Sequence, residues 1–195
     1  MNSLDPAGPP YQFHEMRPLP VAPERLGDIQ KWHAERICNG LRVQLVKRKG
    51  QVFLWSYDGG LISEQFPAVL VSAARLPDSV LDGELVAVQG NNVAALFVMV
   101  ASDLLESAGT DWRRRPLHER RGKLHEVVYS MVLGVAEKPL IQVADVVRAP
   151  SWQTMAVARD QVRTEGTGGL VLKRREAVYG NLNHHSVGDH AWWIW

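Results

Sequence analysis

Cysteine is almost missing from this chain: Cys38 stands alone among 195 residues. No internal disulfide and no cysteine-based zinc site can form, which suits a reducing compartment. Long apolar runs are missing as well. The stretch from Val93 to Val100 falls far short of the roughly 20 apolar residues that a membrane-spanning helix needs. No charged-then-apolar leader opens the sequence, so a cytoplasmic protein with no membrane partner is expected. An excess of one charge sign is also lacking: 22 Lys+Arg against 21 Asp+Glu give a formal net charge of +1. Any nucleic-acid binding must therefore come from a local patch and not from a global field. Internal repeats and low-complexity tracts are absent too. What remains is an ordinary globular composition, 46% hydrophobic, sufficient for a substantial core.

Pro6, Pro9, Pro10, Pro18, Pro20 and Pro23 crowd the first 25 residues. Residues 1–25 are expected to form an extended arm, draped on the domain through Tyr11, Phe13 and Met16, with residues 26–195 forming the domain itself. From there strand and helix patterns alternate. His33–Cys38, Leu41–Lys47 and Val52–Ser56 read as three strands in antiparallel succession, with turns at Asn39-Gly40 and Lys49-Gly50. Glu64–Arg75 places Phe66, Val69, Leu70 and Ala73 on one helical face. Ser79–Val88 and Val93–Ala101 return to strand character across a turn at Gly90-Asn91-Asn92. A helix follows Pro116 within Asp111–Leu133, with Leu117, Arg121, Leu124 and Val128 at helical spacing. Leu140–Val147 reads as a buried strand, Ser151 as the N-cap of a helix through Val162, and Leu170–Lys173 as a late strand. Strand runs interrupted by helices predict an α+β fold with antiparallel sheets.

The run Glu35-Arg36-Ile37-Cys38-Asn39-Gly40-Leu41-Arg42 is followed in order by four further landmarks: Leu81-Asp82-Gly83-Glu84-Leu85, Ser102-Asp103-Leu104-Leu105, Arg115-Pro116-Leu117-x-Glu119-Arg120-Arg121, and Gly169-Leu170-Val171-Leu172-Lys173-Arg174-Arg175. Together with Phe66-Pro67, this series resembles the nucleotidyltransferase (adenylation) domain of ATP-dependent DNA ligases, over about Trp32 to Trp195. The resemblance implies the fold shared by DNA ligases and mRNA capping enzymes, without a following oligonucleotide-binding (OB) domain. It also implies ATP and Mg²⁺ as cofactors if the family pocket functions, and nicked or broken duplex DNA or a DNA-repair protein as partners.

The family's first motif has the form Glu-x-Lys-x-Asp-Gly-x-Arg, and its lysine attacks the α-phosphorus of ATP. Here Ile37 occupies the nucleophile's position and Asn39 the aspartate's. Isoleucine has no nucleophilic atom; Arg36 is effectively never deprotonated, and Lys31 lies about 20 Å away along a strand. The family's motif III arginine aligns with Tyr57, its adenine-stacking aromatic with Ser102, its motif IV glutamate with Gly168 and the first lysine of motif V with Ile194. Expected cations and anions are replaced together, so the pocket can stay folded without stranding a buried charge. Glu35, Arg42, Glu84 and Lys173 match the family's cofactor-binding positions; they can hold a nucleotide or pair with one another.

These residues lead to a catalytically degenerate ligase-like domain, a binding or assembly module in DNA repair or recombination. One alternative is an active ATP-dependent nucleotidyltransferase with a different nucleophile. Another is a protein-interaction scaffold unrelated to nucleic acid. No metal site is expected: His184, His185 and His190 read as an exposed loop, with only Asp189 nearby. Arg113, Arg114, Arg115, Arg120, Arg121 and Lys123 form the strongest basic cluster and read as a solvated helix face. Trp192, Trp193 and Trp195 are expected to pack against the last strand.

Overall fold

The structure, a computed structural model, describes residues 8–88, 96–131, 139–180 and 192–195. Its strands and helices run, in chain order, β1 (Arg17–Pro18), β2 (Trp32–Arg36), β3 (Leu41–Arg48), β4 (Gln51–Ser56), α1 (Pro67–Ala73), β5 (Ser79–Val88) and β6 (Leu96–Ser107). They continue with β7 (Thr110–Asp111), α2 (Leu117–Ser130), β8 (Ile141–Val143), β9 (Val146–Val147), α3 (Trp152–Thr164), β10 (Leu170–Arg174) and β11 (Trp192–Ile194). The fold is α+β, as expected. One sheet has the order β4-β3-β5-β6-β7, with β8 added to β6; the other has the order β1-β11-β10-β2-β9. Most pairings are antiparallel, and the exceptions are β6 with β8 and β1 with β11.

Each sheet buries a face because its strands alternate or run apolar. Leu45, Leu54, Leu81, Leu85 and Met99 pack under α1 and α2. A second cluster, with Val46, Trp55, Leu105, Val171 and Trp192, fills the space between the sheets, and a third joins α3 to β2, β10 and β11 through Trp152, Met155, Leu172 and Trp193. Ser151 caps α3, its hydroxyl accepting from the Thr154 amide.

Two expectations about strand pairing are corrected. The segment 33–38 does not pair with β3: β2 lies in the other sheet, between β10 and β9. Asn39-Gly40 is therefore a crossing between sheets and not a hairpin turn. Asn39 takes a left-handed conformation (φ 54°), which asparagine tolerates better than most residues. A Cβ at Gly40 would stand 2.5 Å from the Leu85 carbonyl oxygen, so only glycine fits where the chain comes against β5. Likewise Leu140–Val147 is two short strands in two sheets, broken at Ala144-Asp145. A continuous apolar run cannot reveal which sheet each half joins.

The arm does more than drape. Its β1 adds a parallel edge strand to β11, Phe13 and His14 are buried, and the Gln44 side-chain amide donates to the Tyr11 carbonyl at 2.8 Å. The turn at Gly90-Asn91-Asn92, the end of the expected helix at Leu133, and His184, His185 and His190 lie outside the described residues.

Candidate nucleotide cleft

β2, β3, β5 and β10 bring Glu35, Arg42, Glu84 and Lys173 to one small cavity. Strand alternation points Glu35 inward from β2, where it is 1% exposed, while antiparallel pairing of β10 with β2 brings Lys173 beside it. Lys173 Nζ lies 2.7 Å from Glu35 Oε2, and Arg121 Nη1 from α2 reaches Glu35 Oε1 from the other side. His33, two residues earlier on β2, completes the shell at 3.2 Å. Burial alone would raise the Glu35 carboxyl, but Lys173, His33 and Arg121 outweigh it and hold it at about 2. Burial pushes the His33 imidazole down in spite of its acidic neighbour.

Arg42 is fully engaged elsewhere. Its guanidinium forms a two-pronged pair with Asp82 (Nε–Oδ1 3.2 Å, Nη2–Oδ2 2.8 Å) and donates to the His14 carbonyl at 2.8 Å. The rings of Phe13, Trp192 and Tyr57 surround it, with centroids 5.4, 5.5 and 5.8 Å away. The Tyr179 hydroxyl also donates to Asp82, at 2.8 Å, and in turn accepts from the His14 amide. Glu84 accepts from the Gly40 amide at 2.9 Å, and burial raises its carboxyl. Lys173 lies over the Trp192 ring, 3.9 Å from its centroid.

The departures from the ligase pattern also converge. Ile37, Asn39 and Gly168 meet at the crossing between the sheets: the Gly168 amide donates to the Ile37 carbonyl at 3.1 Å, and the Ile37 amide donates to Gly169 at 3.0 Å. A Cβ added at Gly168 would lie 2.5 Å from Asn39 Oδ1 and 2.8 Å from Ile37 Cγ2. The small residue at 168 and the larger residues at 37 and 39 are one packing solution. Tyr57 packs against Phe13 of the arm at a tilt of 58°, with ring centroids 5.2 Å apart. Ser102 stands where the aromatic is expected; its carbonyl accepts from Arg121 at 3.3 Å and Lys173 at 3.4 Å, and its hydroxyl donates to the Asp82 carbonyl at 3.4 Å.

The cavity these residues leave is about 20 Å³, room for roughly one water molecule. A nucleotide needs a pocket of several hundred Å³. Met16 from the arm and Trp192 from β11 help to fill the space between the sheets. ATP does not fit this arrangement of residues, and its cations already face internal carboxylates. Among the described residues, no group of three or more His, Cys, Asp or Glu side chains could hold a metal ion, and no helix is long and apolar enough to cross a membrane. Cys38 lines the cavity, but burial and nearby carboxylates push its thiol up to about 11, so little thiolate forms at neutral pH.

The four residues expected from the sequence line one cavity, but Arg42 pairs with Asp82, Glu84 accepts from the Gly40 amide, and Glu35 also holds Arg121. Arg120 and Arg121 are not part of a solvated face: both are buried, Arg120 against Asp103 at 2.7 Å and Arg121 against Glu35. Asp82, flanking the expected Glu84, was the available signal for an Arg42 partner on the neighbouring strand.

No family model matches the chain. It is 25% identical over 187 residues to a DNA ligase of Aeropyrum pernix, an alignment covering 80% of this chain and 28% of that protein. Among solved structures, it superposes on mycobacterial DNA ligase D complexed with ATP and MES with a TM-score of 0.68, at 19% identity, over 93% of this chain and 57% of that one. Chlorella virus DNA ligase-adenylate gives a TM-score of 0.63 at 13% identity, over 95% of this chain and 67% of the other. The chain thus spans little more than a quarter of its curated relative and just over half of the mycobacterial structure. Its fold is that of the DNA ligase nucleotidyltransferase domain.

Proposed function

We infer that this chain is a catalytically silent ligase-like adenylation domain that works as a binding or assembly module in DNA repair or recombination. One observation carries the reading: Ile37, Asn39 and Gly168 are packed against one another where the adenylation chemistry would sit, so a restored side chain at 168 collides with the other two. Lys173, the amine in the cleft, is no substitute nucleophile. It is held 2.7 Å from Glu35 and lies over the Trp192 ring, beside a cavity of about 20 Å³ with no room for a triphosphate. The DNA ligases that share this fold supply the reason to look for a DNA partner, and the balanced overall charge confines any such contact to a local surface.

Intact mass after incubation with ATP and Mg²⁺ or Mn²⁺ tests the silent state. An unchanged mass in both metals is expected. A stable AMP adduct would overturn the reading, and mapping it would name the nucleophile. Binding to a nicked duplex, followed across salt concentrations, tests the nucleic-acid half. A steep loss of affinity with salt and a preference for nicked over intact duplex are expected, while equal or absent binding would leave protein assembly as the role.

A further inference from the structure

Next to the cleft, and sharing His33 and Arg121 with the Glu35 cluster, lies a larger opening. It is a groove of about 600 Å³ between the start of α2, the segment before β2, and the chain running from β9 into α3. Its apolar lining comes from Ile29, Leu117, Val147, Ala149, Pro150 and Met155. Around this lining stand Arg148, Arg175, His118 and His125, with His33 and Arg121 at the back. Among the described residues, no aspartate or glutamate lines it. Arg121 already shares the Glu35 carboxylate with Lys173, and Glu176 lies 3.3 Å from the His118 imidazole. Arg148 and Arg175 are exposed, and neither has a carboxylate partner among the described residues. The groove therefore has fixed positive charge without internal compensation, above a lining that gains from losing water.

We propose that this groove binds an acidic peptide segment of a partner protein, seating one apolar side chain on its lining and setting carboxylates against Arg148 and Arg175. Charge complementarity selects the anion, and the concave apolar lining selects a peptide over a duplex. A DNA backbone offers phosphates on a convex surface and no apolar group to fill a pocket of this size. Guanidinium groups suit carboxylates because their donors lie in a planar fork that matches two oxygens. The groove adjoins the cleft through His33 and Arg121, but Arg148 and Arg175 line the groove and not the cleft, so the inference does not depend on DNA binding.

The test is selection from a phage-displayed random dodecapeptide library on the full chain, with counter-selection on the double variant Arg148→Glu/Arg175→Glu. Both arginines are exposed and without carboxylate partners, so the variant should keep the parent's urea midpoint. Enriched peptides should carry clustered Asp or Glu around one large apolar residue. A fluorescein-labelled synthetic copy should bind at least ten-fold more weakly to the variant, and should lose affinity when its apolar residue is replaced by serine. Failure to enrich any peptide that distinguishes parent from variant would overturn the proposal. So would displacement of the labelled peptide by an intact DNA duplex more effectively than by the unlabelled peptide, an outcome that assigns the groove to nucleic acid.

Discussion

Replacing Glu35 with glutamine removes the carboxylate that Lys173, Arg121 and His33 share, and leaves two buried cations facing a neutral amide. Lys173 keeps the Trp192 ring and the Ser102 carbonyl, and Arg121 keeps the carbonyls of Ser102 and Ala144. Dipoles alone do not compensate two buried charges, and breaking such a cluster costs about 3–5 kcal/mol. Proton linkage gives a second estimate. Moving the carboxyl from its ordinary 4.5 to about 2 contributes about 3 kcal/mol at neutral pH. Because the folded value is depressed, this contribution is complete above about pH 4.5 and is lost as the pH falls towards 2. Urea unfolding at pH 7 should show Glu35→Gln with a midpoint lower by roughly 2 M, for a slope of about 2 kcal/mol per molar. The gap between parent and variant should shrink between pH 4.5 and pH 2.5. A midpoint shift under about 0.5 M, or a gap that stays constant through that range, would refute the reasoning.

Gly168→Ala should destabilise the chain by about 1–3 kcal/mol, since the new methyl must displace the Asn39 and Ile37 side chains. The penalty should fall by at least half in an Ile37→Ala/Asn39→Ala background, a coupling read directly from urea midpoints. Phe13→Ala should cost about 3 kcal/mol and lower the unfolding midpoint of the whole domain, because the ring is buried against Tyr57 and Arg42; an unchanged midpoint with selective proteolysis near residue 13 would show the arm to be independent. Arg120→Met should be strongly destabilising, by about 3–5 kcal/mol, because it strands the fully buried Asp103, and Arg120→Met/Asp103→Leu should recover much of the loss in the same assay.

The elements were legible where local chemistry decides them. Pro116 starts α2 and Ser151 caps α3, and the largely apolar run Ser79–Val88 forms β5 with the expected bounds. Sheet membership was not legible. A strand's apolar period is the same whichever neighbour it joins, so β2 looked like the first strand of a meander when it belongs beside β10. Partner choice in the cleft failed for a related reason. Arg42 stands directly opposite Glu84 across β3 and β5, yet its long side chain reaches diagonally to Asp82, a choice set by the burial of Asp82 and by the Tyr179 hydroxyl. Arg121 looked like one of a run of surface cations, and only the packing of α2 against β6 turned it inward to Glu35.

The same partner choices bear on what the cleft can accept. A site built to grip a triphosphate needs positive charge that the folded chain does not itself neutralise, because phosphate must displace only water to bind. In this cleft both carboxylate oxygens of Asp82 engage Arg42, and the two oxygens of Glu35 are divided between Lys173 and Arg121. A phosphate entering here would have to separate buried ion pairs as well as open space beside Met16 and Trp192, each at a cost of several kcal/mol. On the silent reading proposed above, restoring a lysine at Ile37 alone would therefore not restore the chemistry. The new ammonium would meet Gly168 where a metal-binding carboxylate is needed, and a carboxylate side chain at 168 would collide with residues 37 and 39. On that reading the substitutions and the surviving ion pairs support one another, and recovering a nucleotide pocket would require changing both sets together.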